Sequence, residues 1–203
     1  MENRLVKHKL MHNHGYLKKL ETMLKGLGIA YENLDFYVQA FTHPSYANEH
    51  KVPNNERLEF LGDAILDFLV ADYLYHAFPN IPEGEMSKLR SKYVCTQANA
   101  QYARELHLET SLLLGKGELE HGGKEKESVL ANLFESFLGA VYLDKGVENV
   151  NKILENTIYD KIQDPLVEYF HDYKSKLQEY IQAESRNGVE YRLEHEKGPS
   201  HQK

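Results

Sequence analysis

The segment NERLEFLGDAIL, residues 55–66, opens the longest helical pattern of the chain, which runs to about Ala77. Its acidic residues recur at steps of three and four and lie on one stripe of a helix, comprising Glu56, Glu59, Asp63 and Asp67. The opposite side offers apolar side chains to a core, namely Leu58, Leu61, Ile65, Phe68 and Leu69. The segment therefore predicts an amphipathic helix with an acidic face.

This acidic stripe has two interpretations. It can be a solvated face, which is the usual role of a row of charges on a helix. It can also bind a divalent cation, because four like charges repel each other unless a positive group lies opposite. Arg57 does not lie centrally on the stripe, so it neutralises the carboxylates poorly. The spacing alone leaves both interpretations open.

Another acidic residue, Glu135, lies in the most apolar helical pattern of the chain, residues 128–143. Such a helix is buried on most of its surface, and an unpaired buried carboxylate costs several kcal/mol or becomes protonated. Asn132 precedes Glu135 by one turn and shares its face. Neighbouring polar groups can satisfy this pair, or a magnesium ion can, since magnesium prefers hard oxygen ligands. A crossing of the two helices would offer such an ion Glu59, Asp63, Asn132 and Glu135.

Composition limits the class of protein. The 203 residues carry a net charge of −7, which argues against a simple electrostatic nucleic-acid binder. A nuclease with metal-binding carboxylates can still be acidic, because bound cations supply positive charge. No apolar run is long enough for a membrane span, and residues 1–25 do not resemble a signal peptide. Cys95 is the only cysteine, which fits a reducing cytoplasm.

Helical periodicity dominates the chain before residue 189, so the sequence predicts an all-α fold. The expected helices cover residues 17–27, 36–48 with an interruption at His43-Pro44, 55–77, 85–95, 97–106, 126–143 and 147–161. The glycine-rich residues 115–123 follow no strand and lack phosphate-loop spacing, so they predict a connection. Pro165 marks a linker, and a strand-like pattern begins at Val189. His43 and Cys95 lie away from the acidic segments and are expected to be structural.

Residues 55–66 resemble the signature motif of the ribonuclease III family. Further stretches resemble the same family in the same order: FTHPSYA (41–47), PEGEMSKLR (82–90), LGKGE (114–118) and ESVLANLFE (127–135). The motifs span about residues 17–161. The resemblance implies a dimeric, all-helical ribonuclease III endonuclease domain that hydrolyses double-stranded RNA. It also implies magnesium as cofactor, with manganese as a substitute, and products with 5′-phosphate and 3′-hydroxyl ends.

The resemblance assigns roles to residues. The implied metal positions are Glu59, Asp63, Asn132 and Glu135, of which Asp63 and Glu135 match the catalytic pair. The acidic residues of the RNA-binding cleft match Glu56 and Glu83. Phe60 matches an aromatic residue that inserts into a pocket of the partner subunit, and Asp67 matches no known role and is expected at the surface. The resemblance places the activity in the processing of ribosomal and messenger RNA, without identifying the RNA.

Asn132 departs from the family pattern, which has aspartate at this position. An amide oxygen can coordinate magnesium, but it brings no negative charge. We therefore expect weaker metal binding. The alternative function is a catalytically impaired, dimeric regulator that binds double-stranded RNA without cutting it.

The C-terminal residues resemble another domain. Residues 173–180 and 198–201 are similar to the opening helix and first hairpin of a double-stranded-RNA-binding domain, and the implied RNA contacts are Gln178, Gln182 and His201. In such domains these elements approach successive minor grooves, where 2′-hydroxyl groups distinguish RNA. We expect a nuclease domain over 1–162, a linker over 163–171 and a partial RNA-binding domain over 172–203, as in a truncated longer protein.

Two further metal sites are possible from spacing. Glu118 and His121 have the Glu-x-x-His spacing of di-iron bundles, but glycines surround them and a second copy on a helix is missing. Three histidines lie near the N-terminus, namely His8, His12 and His14. They can bind a transition metal, or they can belong to a mobile tail. An unrelated helical metal-binding protein is a third class, which predicts no affinity for duplex RNA.

Overall fold

The computed structural model describes residues 14–162, which are mostly helical. The α-helices are α1 (His14–Gly26), α2 (Leu34–Ala40), α3 (Pro44–His50), α4 (Glu56–Ala77), α5 (Glu83–Val94), α6 (Thr96–Glu105), α7 (Lys116–Glu120), α8 (Glu127–Lys145) and α9 (Val147–Thr157). Two 3₁₀ turns follow α6 and α9, at Leu108–Ser111 and Tyr159–Ile162. Within residues 14–162, β-pairing is limited to an isolated parallel bridge between Thr42 and Leu113, which confirms the all-α prediction there. No helix in this range is long and apolar enough to cross a membrane.

Helices α4 and α8 form the centre of the fold, because two glycines let their backbones approach closely. A methyl group on Gly62 would overlap the carbonyl oxygen of Glu135. One on Gly139 would overlap the carbonyl oxygen of Leu58. Neither position has room for a side chain, which is a typical reason for glycine inside a helix. The crossing therefore fixes the register of α4 against α8.

Helix α8 is buried along most of its length. Its Phe137 ring packs edge-on against Phe41 with centroids 6.1 Å apart, and its Phe134 ring lies 5.4 Å from that of Tyr102 on α6. The Ser136 hydroxyl donates to the last carbonyl oxygen of α2 at 3.0 Å. This buried polar group is therefore satisfied, and α8 is held by α2, α4 and α6 together.

The chain turns sharply between α2 and α3. Pro44 occupies the first position of α3, where its missing N–H and fixed φ suit a helix start. The ring nitrogen Nδ1 of His43 accepts a hydrogen bond from the backbone N–H of Ser45 at 3.2 Å. The helix predicted over residues 36–48 is therefore two helices, and His43 acts as a helix cap.

The connection predicted over residues 115–123 contains the short helix α7, Lys116–Glu120. The backbone N–H of Gly115 donates to the Ser45 hydroxyl, and that of Lys116 donates to the Glu49 carboxylate, both at 2.9 Å. These bonds attach the start of α7 to α3. The helix predicted over 147–161 also ends earlier, at Thr157, and continues as a 3₁₀ turn.

Helix α4 has three faces, whereas the sequence predicted two. Its buried face comprises Leu58, Gly62, Leu66, Leu69, Val70 and Leu74. The acidic stripe lies on one side of this face. A third, apolar face carries Phe60 and Phe68, which are 80% and 63% exposed. The prediction that Phe68 packs into the core is wrong, because α8 covers the side of α4 that contains Gly62.

Candidate active site

The glycine crossing brings two polar pairs together, one from each central helix. Glu59 and Asp63 lie one turn apart on α4, and Asn132 and Glu135 lie one turn apart on α8. Gly62 stands between the pairs, against the backbone carbonyl of Glu135. The Asn132 amide lies close enough to Glu59 to lower the pKa of its carboxyl, so the two pairs meet at the crossing. Glu135 also experiences the charges of Glu59 and Asp63, so all four side chains lie at the same helix crossing.

The carboxylates on α4 lie in surroundings that disfavour their charge. Burial raises the pKa of Glu59, the charge of Glu56 raises it further, and the neighbouring Asn132 amide opposes this rise. Burial also raises the pKa of Asp63, with a contribution from the charge of Asp67. Ionising these groups together is therefore unfavourable unless positive charge is supplied.

Glu135 experiences the strongest effect in this group. Burial raises its pKa to about 7, and the charges of Asp63, Glu59 and Asp67 act in the same direction. A hydrogen bond from the side-chain amide of Asn99 to Oε1 of Glu135, 2.8 Å long, opposes the rise. Glu135 is thus the most buried carboxylate of a cluster whose members repel one another.

The donor chemistry of this cluster fits a hard divalent cation. All four candidate ligands offer oxygen, which is the ligand atom that Mg²⁺ and Mn²⁺ prefer in proteins. A cation would offset the repulsion and the burial of the carboxylates. As the side chains are arranged, no three acidic, histidine or cysteine groups within residues 14–162 are gathered closely enough to enclose a metal ion. The cluster therefore fits such a cation in the type of its donor atoms and in their location at one helix crossing.

Two further residues belong to this neighbourhood, namely Asp67, to which the sequence assigned no role, and Asn99, which it did not single out. Asp67 was expected at the surface without a role, yet its charge raises the pKa values of both Asp63 and Glu135. Its position four residues after Asp63, on the same stripe of the helix, could have indicated that it belongs to the cluster. Asn99 lies on the buried face of α6, and only the distant contact with Glu135 distinguishes it from other helical amides.

The two residues expected in the cleft have different positions. Glu56 begins α4, accepts a hydrogen bond from the Asn54 amide at 2.6 Å and influences Glu59 electrostatically. Glu83 begins α5 and accepts a hydrogen bond from the Ser87 hydroxyl at 2.8 Å. Glu83 lines a separate groove between α4 and α5, so the structure does not bring it into the cluster.

Phe60 lies on the exposed apolar face of α4, which adjoins a pocket of about 670 Å³. The pocket is lined by Leu61, Ala64, Ile65, Phe68, Tyr142, Leu143, Gly146 and Val147. Large exposed aromatic side chains beside an apolar pocket are typical of an interaction surface. We call these lining residues together with Phe60 the apolar face.

The Glu-x-x-His pair on α7 does not form a metal site. Glu118 accepts a hydrogen bond from the Lys126 ammonium group at 2.7 Å. The ring nitrogen Nδ1 of His121 bonds to the carbonyl oxygen of Gly117 at 2.6 Å. Both side chains thus have other partners. Cys95 is exposed where α5 meets α6. His8, His12, Gln178, Gln182 and His201 lie outside residues 14–162, as do the predicted linker and RNA-binding domain.

Comparison with known families agrees with this fold. A family model described as "Ribonuclease-III-like" matches residues 33–162, a range that contains the whole cluster. The chain belongs to the ribonuclease III family. Ribonuclease 3 of Halalkalibacterium halodurans is 47% identical over 184 residues, covering 89% of this chain and 70% of that protein. Ribonuclease 3 of Bacillus cereus is 44% identical over 189 residues, covering 92% of this chain and 77% of that protein.

A solved structure shares the ribonuclease III nuclease fold. The nuclease domain of ribonuclease III from Campylobacter jejuni is 36% identical and superposes with a TM-score of 0.65, over 70% of this chain and 98% of that domain. The predicted family and helical nuclease fold are therefore confirmed. The chain is a ribonuclease III-type endoribonuclease.

Proposed function

We propose that this ribonuclease III hydrolyses phosphodiester bonds of double-stranded RNA at the α4–α8 crossing, with Mg²⁺ as cofactor and Mn²⁺ as a substitute. The products would carry 5′-phosphate and 3′-hydroxyl ends. One observation carries this proposal: the close glycine crossing sets Glu59 and Asp63 beside Asn132 and Glu135. This gathers oxygen donors and negative charge at one place on the surface.

The proposed roles follow from position. Asp63 and Glu135 would be the catalytic pair and, together with Glu59 and Asn132, would hold the cation. A bound cation supplies charge neutralisation at the phosphate and a nucleophilic water at neutral pH. Asn132 would help to keep Glu59 ionised, because its amide lowers the pKa of that carboxyl. Glu56, at the start of α4, would border the RNA cleft.

The proposal includes a homodimer formed through the apolar face. Phe60 is too exposed to be explained by packing within one chain. The adjoining pocket of about 670 Å³ has space for an aromatic side chain of a second copy. In the Campylobacter jejuni nuclease domain, one region is involved in dimer formation. Two active sites in a dimer would let each subunit cut one strand of a duplex.

Cleavage of a labelled RNA duplex tests the proposal. We expect Asp63→Asn and Glu135→Gln each to slow cleavage at least about 100-fold, because each loses a charge that holds the cation and thus several kcal/mol of stabilisation. Glu148→Gln, which changes an exposed carboxylate on α9, is the matched control and should cleave at the wild-type rate. Wild-type rates in either site variant, with correctly folded protein, would contradict the proposal.

A second candidate function rests on the amide at position 132. Asn132 lies beside Glu59 and adds no charge to the cluster, which favours an impaired enzyme that binds duplex RNA. Incubation with the same labelled duplex distinguishes the two functions. Staggered cuts with 5′-phosphate ends support the nuclease, whereas a stable complex without cuts at saturating magnesium supports the regulator.

A further inference from the structure

Asn99 makes an unusual pair of contacts with its side-chain amide. Its Nδ2 atom donates to Oε1 of Glu135 at 2.8 Å and to the carbonyl oxygen of Val94 at 3.2 Å. Both partners are acceptors, so both require the NH₂ group and the amide cannot be turned around. The side chain is fully buried, at 0% exposure, which protects these bonds from water.

We propose that Asn99 is a positioning residue for Glu135, holding Oε1 so that the other carboxylate oxygen, Oε2, is presented to the cation. This inference rests on the proposed metal site. The bond comes from α6, so it restrains Glu135 independently of the glycine crossing with α4. A carboxylate held by one oxygen has fewer orientations to lose when its other oxygen binds a ligand.

Stability alone does not explain an amide at this place. The Oδ1 atom of Asn99 is buried and has no hydrogen-bond partner among residues 14–162. Burying an unpartnered oxygen is unfavourable, and an apolar side chain of the same size would avoid it. The neighbours on the buried face of α6, Ala100, Tyr102 and Ala103, are mostly apolar. The amide is therefore retained for its NH₂ group, which serves Glu135 as well as the Val94 carbonyl oxygen.

Manganese binding without RNA tests this inference. The full chain is freed of metal, and its affinity for Mn²⁺ is measured by electron paramagnetic resonance at pH 8, where Glu135 is largely ionised. We expect Asn99→Leu to weaken Mn²⁺ binding about 10-fold, as is usual when a ligand loses its supporting bond. Its melting temperature and circular dichroism spectrum are measured alongside, because the substitution also removes the bond to the Val94 carbonyl oxygen. A wild-type affinity in folded Asn99→Leu would overturn the inference.

Asn149→Leu is the matched control. Asn149 also donates its side-chain amide to a backbone carbonyl oxygen, that of Lys145 at 2.8 Å, but on α9. We expect its Mn²⁺ affinity to be that of the wild type. If Asn149→Leu weakens binding as much as Asn99→Leu, the effect is not specific to Glu135 and the inference is wrong. Asp63→Asn shows whether the metal binds at the proposed site at all: an unchanged affinity there contradicts the proposed function instead.

Nuclear magnetic resonance on the wild-type chain tests the contact without depending on a variant. The side-chain amide protons of Asn99 are assigned by through-bond correlations to the Asn99 backbone signals. They should exchange slowly with solvent. They should also shift when Mg²⁺ is added, because the cation polarises their acceptor. Rapid exchange, or no shift at saturating Mg²⁺, would overturn the inference even if Asn99→Leu fails to fold.

Discussion

At the scale of single residues, the burial of Glu135 links the stability of the metal-free protein to pH. Its pKa is raised from 4.5 to about 7, so the folded protein retains a proton that the unfolded chain releases. The resulting stability is fully present below pH 4.5 and is lost as the pH rises through about 7. We expect the melting temperature in EDTA to fall over this range.

The variant Glu135→Gln isolates the contribution of this carboxyl from those of the other ionisable groups. Its amide cannot ionise, so the decrease in melting temperature between about pH 5 and pH 7.5 should be smaller than in the wild type. Thermal unfolding followed by circular dichroism measures both proteins in EDTA. Parallel pH profiles would show that Glu135 does not ionise in this range.

The second prediction at this scale concerns Asn132. Asn132→Asp adds a negative charge to the cluster and removes an amide that favours the ionised form of Glu59. We expect it to reach half-maximal cleavage at about tenfold less magnesium, because added ligand charge raises cation affinity. It should also melt earlier in EDTA. A magnesium titration of the cleavage rate checks this, and equal rates of both proteins at the same low magnesium would mean that the amide is harmless.

Spacing reveals some residues of the cluster and not others. Glu59, Asp63 and Asp67 follow the helical repeat, and Glu135 stands out because its helix is apolar. Asn99 is not detectable in this way, because its partner lies 36 residues away on another helix. Sequence periodicity describes one helix at a time, whereas the pairing of an amide with a carboxylate depends on how helices cross.

At the scale of secondary-structure elements, the crossing of α4 and α8 depends on its two glycines. Gly62→Ala would place a methyl group inside the backbone of α8 at Glu135, and α8 has no flexible group there that could move away. We expect a loss of about 3 kcal/mol or more in the free energy of unfolding, measured by urea denaturation. Metal affinity should fall as well, because the helices would separate.

Gly84→Ala provides the control for this substitution. Gly84 is also helical, on α5, but a methyl group there meets no atom within 4 Å. The alanine should leave stability unchanged or raise it by up to about 1 kcal/mol, since alanine favours helix more than glycine does. If Gly62→Ala is as stable as Gly84→Ala, the close crossing is not a requirement of the fold.

Most helices could be predicted from the sequence, whereas their ends and neighbours could not. The turn at His43 and Pro44 divides α2 from α3, as the proline suggested, but the short helix α7 stands in a segment whose glycines predict a loop. Helix α7 is held by the hydrogen bonds that the backbone N–H groups of Gly115 and Lys116 donate to the Ser45 and Glu49 side chains. The exposure of Phe68 was not predictable either, because the apolar repeat does not tell a core from an interface.

At the scale of the whole molecule, the apolar face predicts the oligomeric state. Phe60→Asp would place a charge at the proposed subunit interface, and we expect the dimer to dissociate at micromolar concentration, since an unpaired buried charge is costly. Sedimentation velocity measures the change. Leu119→Asp is the control: Leu119 is 52% exposed on α7 and does not line the pocket, so this variant should remain dimeric. A dimeric Phe60→Asp protein would place the interface elsewhere.

The larger organisation is tested only in part by the described residues. The helical nuclease fold and its family are confirmed. The domain boundaries near residue 162, the RNA contacts at Gln178, Gln182 and His201, and the cytoplasmic location stay predictions. They depend on residues beyond 162 or on cellular sorting, which the packing of the nuclease domain does not determine.

The glycine crossing also affects how the sequence can change. Gly62 and Gly139 each face the backbone of the opposite helix. A side chain added at either position would therefore meet backbone atoms, and no smaller side chain on the opposite helix could make room for it. A random library selected only for folding should keep both glycines, while Glu59, Asp63 and Glu135 vary. Selection for RNA cleavage should retain all five. Sequencing both selected libraries would therefore separate the positions that build the scaffold from those that perform the reaction.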